Sequence, residues 1–321
     1  MSRSLLKQAA TLSTLLALAA AGGLAQSPPQ PSPAPTAILQ AFDQTPIVAI
    51  GELHGLQAAG NFYVSLIKTP GFADKVNDVV VEFSTPRYQD LLDRYVNGAD
   101  IPPAELAQVW RNTTKVFSWE SPIYPQLLAA IRDLNRTLPP ARRVRVLGGD
   151  APIDWTQVHT NRQWGKFQPN DKAFADIITQ QVLARHRKAL VILGNNHLTR
   201  GGDRNGFANT TSMVEKHYPR SMYIVLLAAS GFGEAPFMQS WQPPALAPTN
   251  APWAARVPFG HGTLKNSADA VLYLGPWLRE AQPDWNSFDP AYLQELDRRS
   301  HIEWGCSFDL NRWKHSLRPC P

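Results

Sequence analysis

"IVAIGELHG", residues 47–55, decides how the rest of this chain is read. Its apolar residues run on without alternation as far as Gly51, and the stretch turns polar at Glu52 and His54. An alternating strand has one wet face. A continuous apolar one is buried on both faces, as in parallel sheets covered by helices. Five more runs share this character: "DVVVEFS" (78–84), "VRVLGGD" (144–150), "ALVILGN" (189–195), "MYIVLL" (222–227) and "AVLYLG" (270–275). Helical spacing fills the intervals. "PRYQDLLDRYV" (86–96) gathers Leu91, Leu92 and Tyr95 on one side behind Pro86, a good first-turn residue, and "PIYPQLLAAIRDLN" (122–135) and "DKAFADIITQQVLARHR" (171–187) read the same way. Strands alternating with helices predict an α/β fold: a mainly parallel central sheet flanked by helices, with a helical insertion after the second strand.

The ends of the chain read differently. Arg3 and Lys7 precede an apolar stretch from Ala9 to Leu24, and small residues at Gly23 and Ala25 fit cleavage before Gln26. Residues 1–25 are therefore predicted to be a signal peptide, sending the protein to the periplasm or outside the cell. The stretch is too short and too rich in Ala and Gly for a stable membrane span, and without a cysteine at the cleavage point a lipoprotein is not expected. Residues 26–37 read as an extended, disordered Pro-rich linker. Residues 38–321 read as one α/β domain, with the helical insertion at 85–143, an irregular loop at 228–269 and a tail at 276–321. Within the tail, "DPAYLQELDRRSHIEW" (289–304) predicts a helix capped by Asp289 and begun by Pro290. The two cysteines, Cys306 and Cys320, predict a disulfide in an exported protein, contributing about 3 kcal/mol by tying down the tail. The formal net charge of +5 falls to +3 without the signal segment, and no Lys/Arg run is present, which excludes nucleic acid as the partner.

Four of the six strands end in residues capable of chemistry: Glu52 and His54, then Glu82, then Asp150, then Asn195, Asn196 and His197. In a parallel sheet these ends share one edge, where ligands of open α/β sheets bind. Glu52 and His54, two apart in extended chain, can face one crevice. Glycines at 51, 55, 148, 149 and 194 permit tight turns there. Any one of these residues alone reads as a cap or a wet loop residue; their convergence predicts a site for a small molecule. No Gly-x-Ser-x-Gly elbow exists, and Ser84 reads as a cap for the helix at 86. Both cysteines lie in the tail, away from these strand ends.

"GELHG", "VVVEFS", "RYQDLLDRYVNG", "SPIYPQLLAAIRDLN" and "ILGNNHLTRGG" resemble the superfamily that joins ChaN-type haem-uptake proteins, Tiki metalloproteases and erythromycin esterases. Its pattern is a Gly-x-x-His after the first strand, a glutamate after the second and a histidine late in the sheet. Gly51 to His54, Glu82 and Gly194 to His197 match it here, and the resemblance spans residues 45–275. The esterases carry a His-x-x-His pair at the late motif, whereas this chain has Gly194 in the first place.

Two imidazoles among carboxylates suit hydrolysis of an ester or amide. In that reading His54 is the base, Glu52 or Glu82 orients it, and His197 polarises the substrate or donates to the leaving group, with Asp150 nearby. The same residue types admit a divalent metal on His54, Glu82 and His197, as the Tiki branch implies. The alternative is a ChaN-like haem-binding protein without catalysis. The loop aromatics Phe232, Phe237, Trp241, Trp253 and Phe259 would line its slot, with His54, His197, His261 or Tyr88 as axial ligand. A third reading makes the acidic residues a charged network that holds the loops through Arg87 and Arg200.

Overall fold

The computed structural model describes residues 30–203, 206–228, 235–260, 262–276 and 279–316. Ten strands are β1 (Ser32–Pro33), β2 (Ile47–Glu52), β3 (Asp78–Val81), β4 (Arg145–Gly148), β5 (Ala189–Gly194), β6 (Met222–Ala228), β7 (Ala245–Pro248), β8 (Pro258–Phe259), β9 (Gly262–Thr263) and β10 (Ala270–Tyr273). Eight of them form one sheet in the order β1-β7-β10-β6-β2-β5-β3-β4, while β8 and β9 make a small ribbon. The run from β10 to β4 is parallel throughout, and β7 and β1 add an antiparallel edge. All six predicted strands are present, in the mainly parallel α/β sheet expected.

Both faces of the strands are buried, which explains their unbroken apolar runs. Val48 and Ile50 of β2 pack with Val79 and Val81 of β3 against the helices Gln57–Ile67 and Ile123–Arg136. Ile47 and Ala49 turn the other way, with Val80, Val191 and Ile224, onto Phe174, Ile178 and Val182. Each such fully buried Val, Ile or Phe side chain contributes about 1.5–3 kcal/mol. Between β3 and β4 the chain forms the helices Gln89–Val96, Pro103–Leu106, Gln108–Arg111 and Ile123–Arg136. The tail helix runs Pro290–Trp304, with the Asp289 side chain accepting from the N–H of Tyr292 as its cap. Leu296 and Ile302 of that helix join Val116, Phe117 and Trp155 in a separate apolar cluster.

Several expectations need correction. The linker was expected to reach residue 37, yet Ser32–Pro33 pairs with Ala245–Leu246 of β7, and Ala34–Ala41 is a helix with Ile38 buried. The loop at 228–269 is not structureless, because β7 lies within it. The helix expected at 171–187 ends at Arg185 and is α-helical only over Asp171–Ile177, continuing as π-helix and 3-10 turns. Thr85, not Ser84, caps the turn at 86, its hydroxyl accepting from the N–H of Arg87. The signal segment and Cys320, half of the expected disulfide, lie outside the described residues. Among the described residues no helix is long and apolar enough to cross a membrane.

Candidate active site at the carboxyl edge of the sheet

β2, β5 and β3 are neighbours, so Glu52, His197 and Glu82 leave the sheet side by side, and Glu52 stands in register with Gly194. Asn195 fixes the exit of β5. Its amide donates to the carbonyl of Leu227 at 3.0 Å and accepts from the Leu227 N–H at 3.0 Å, bridging to β6. That amide fills the space where a Cβ on Gly51 would stand 1.8 Å from Asn195 Oδ1, so only glycine fits at 51. The single turn Asn195–Leu198 then presents His197.

Glu82 is the centre of the arrangement. It is 1 % exposed, and its Oε2 accepts the Gly194 N–H at 2.7 Å. Its Oε1 is buried without a geometric hydrogen bond and faces both imidazoles: His197 Nε2 at 3.5 Å and His54 Nε2 at 4.0 Å. Beyond each histidine stands a second carboxylate. His54 Nδ1 meets Glu52 Oε2 at 3.1 Å, and His197 Nδ1 meets Asp171 Oδ1 at 2.8 Å. The second carboxylates are braced in turn. Tyr124 donates to Glu52 Oε1 at 3.0 Å and accepts from the N–H of Gly55, a residue turned at φ 78°. Asp171 Oδ1 also receives the N–H and hydroxyl of Thr210 at 2.8 and 2.7 Å. Trp119 lies edge-on to His54 at 4.3 Å, and Phe174 edge-on to His197 at 5.1 Å.

The electrostatics follow from this alternation of anion and imidazole. Burial pushes the His197 imidazole down, but Glu82 and Asp171 on either side outweigh it and raise it to about 10. At neutral pH His197 is therefore an imidazolium. Burial also pushes His54 down, and the Glu52 hydrogen bond with the charges of Glu82 and Glu52 overcomes this, raising it above the ordinary value. Burial would raise Glu82, yet the two imidazoles and the Gly194 N–H bring it to about 2. His54 is the open member of the cluster, with 39 % of its side chain accessible against 18 % for His197.

The sequence reading brought Glu52, His54, Glu82 and His197 to one place, and the structure brings them together. Asp150 is engaged elsewhere. Its carboxylate takes the N–H and hydroxyl of Thr114 and the side-chain amide of Asn170, and burial pushes it up to about 6. Arg87 and Arg200 do not brace the cluster as a charged network would need; Arg87 pairs with Asp154, and Arg200 with Glu215 and Asp269. Asp171 and Tyr124 were missed. Asp171 begins a helix, as acidic residues commonly do, and Tyr124 falls inside a helical pattern, so neither carried a signal in one sequence.

Of the aromatics expected to line a haem slot, two are packed into the protein. Trp241 and Trp253 are each 6 % exposed and pack edge-on against each other, and Trp241 packs likewise on Tyr273. Tyr88 lines a different cavity with Arg87 and Trp155, and His261 and Phe232 lie outside the described residues. For a divalent cation, Glu52, His54 and Glu82 each offer a ligand atom within 4.8 Å of the others. The set differs from the expected one in having Glu52 where His197 was placed.

No protein-family model matches the sequence, and no curated protein matches it significantly. Solved structures do match in fold. The erythromycin esterase EreC, as a histidine-to-asparagine mutant in its open conformation, is 12% identical, with 77% of this chain and 94% of that one covered and a TM-score of 0.57. A succinoglycan biosynthesis protein is 11% identical, with 76% and 91% covered and a TM-score of 0.52. A Campylobacter jejuni ChaN with cofacially bound haem is 16% identical, with 74% and 90% covered and a TM-score of 0.44. A Cβ on Gly194 would stand 3.5–3.6 Å from Glu82, His197 and His54. The chain thus shares the fold of the erythromycin esterase EreC.

Proposed function

We propose that this chain is an exported hydrolase of small ester- or amide-bearing molecules, acting through His54 and His197. The observation that carries the reading is that two imidazoles direct Nε2 at one buried glutamate, each backed on Nδ1 by a further carboxylate. Glu52 accepts a hydrogen bond from the Nδ1–H of His54, leaving Nε2 as the basic atom of a side chain that is 39 % accessible. His54 removes a proton from water as the water attacks the carbonyl carbon, and Glu52 and Glu82 stabilise the imidazolium that forms. His197 is already cationic and donates from Nε2 to the developing oxyanion or the leaving atom. The export component rests on the N-terminal sequence alone, from Arg3 to Ala25.

A divalent cation is the second reading, favoured by the close set of Glu52, His54 and Glu82 and by the unbonded Oε1 of Glu82. When bound it would make water acidic enough to attack near neutral pH. The metal-free reading stands first because both oxygens of Glu52 are already engaged, by Tyr124 and His54. The test is turnover of an ester and amide panel by wild type and His54→Ala, with elemental analysis of both. Loss of roughly a hundredfold or more in turnover with unchanged melting supports the hydrolase. Stoichiometric metal that disappears in the variant moves the cation to first place. Undiminished turnover in His54→Ala refutes the assignment.

A further inference from the structure

A cavity of about 380 Å³, open to solvent, is walled by Arg87 and Tyr88 after β3, by Asp154, Trp155, Thr156 and His159 after β4, and by Glu295, Arg298 and Arg299 of the tail helix. Its volume falls in the range that holds metabolite-sized molecules. Three arginines face two carboxylates there, an excess of one positive charge.

Two of the arginines are fixed. Arg298 grips both oxygens of Glu295 at 2.7 Å and donates to the carbonyls of Val158 and Trp155. Arg299 donates to Glu295, to the carbonyl of Arg111 and to Asn112 Oδ1. Carbonyls satisfy N–H groups without cancelling charge, so the pair creates a preorganised positive field. Arg87 is different. Among the described residues its guanidinium makes one hydrogen bond, Nη2 to Asp154 Oδ2 at 3.0 Å, and 43 % of its side chain is accessible. Its Nε and Nη1 groups are left for a ligand. Asp154 is kept in place by the N–H and hydroxyl of Thr156 on its other oxygen.

We propose that this cavity binds a small molecule through a compact oxyanion, a carboxylate or a phosphate, docked on Arg87 in the field of Arg298 and Arg299. A planar fork with free N–H groups suits either anion, and neutralising the excess charge favours occupancy.

Isothermal titration of the full exported chain at low salt, with inorganic phosphate and with succinate in separate runs, tests this. Saturable one-to-one binding of either supports the proposal, and which anion binds identifies the group. Arg87→Met should weaken that binding about tenfold, the loss of one charge-assisted contact. Asp154→Asn should strengthen it, because the carboxylate that competes for Arg87 is gone while the Thr156 contacts keep an acceptor. The opposite signs separate anion docking from general loosening, with melting curves confirming that both variants fold. Failure of both anions to saturate, unchanged affinity in Arg87→Met, or weakening in Asp154→Asn overturns it.

Discussion

Replacing Asp171 by Asn removes the charge behind His197 and keeps a group of the same shape. The imidazole is raised from 6.5 to about 10 by Glu82 at 3.5 Å and Asp171 at 2.8 Å, against the cost of burial. That rise corresponds to roughly 5 kcal/mol, the net of both carboxylates over the cost of burial. Losing one should lower His197 back toward its ordinary value. Because the folded value is raised, the pair stabilises the protein fully below pH 6.5, and the contribution drains away as pH rises through about 10. In Asp171→Asn the loss should finish at lower pH, so the variant's deficit relative to wild type is greatest in acid and neutral solution and closes in alkali. The assay is an NMR titration of the His197 ring, paired with urea unfolding at pH 6 and pH 10. If His197 titrates near 6.5 in the wild type, or is unmoved in Asp171→Asn, the anion–imidazole alternation does not govern the site.

Tyr124→Phe strips Glu52 Oε1 and the Gly55 N–H of a partner in a buried place and should cost about 1–3 kcal/mol, read from denaturant midpoints at constant slope. Glu303 sits against the Val116 N–H, and burial pushes its carboxyl up to about 7. The folded protein thus loses stability as pH rises from 4.5 to 7, and Glu303→Gln should melt higher than wild type at pH 8 but no higher at pH 4, by calorimetry.

The sheet was legible because burial on both faces writes itself as an unbroken apolar run, and Glu52 with His54 was legible from extended-chain geometry. β7 was not, since "ALAP" at 245–248 is short, small and Pro-ended and takes its strand character from pairing with β10. Asp150 shows the limit of reading strand ends. A carboxylate that ties Thr114 to Asn170 looks, in sequence, like one that meets a ligand. Asp171 shows the converse, because the link to His197 spans 26 residues and depends on where one helix lies against another turn. Register and spacing reach two or four residues along an element, not across a crossover.

The two-residue strand β1 closes the sheet rather than merely leading into it. β7 would otherwise present a bare row of N–H and C=O groups, the invitation on which sheets of separate molecules join. Ser32 and Pro33 cover that row opposite Leu246 and Ala245. Pro33, with no N–H of its own, cannot pass a full ladder on to another strand, so the same two residues that extend the sheet also bring it to a stop.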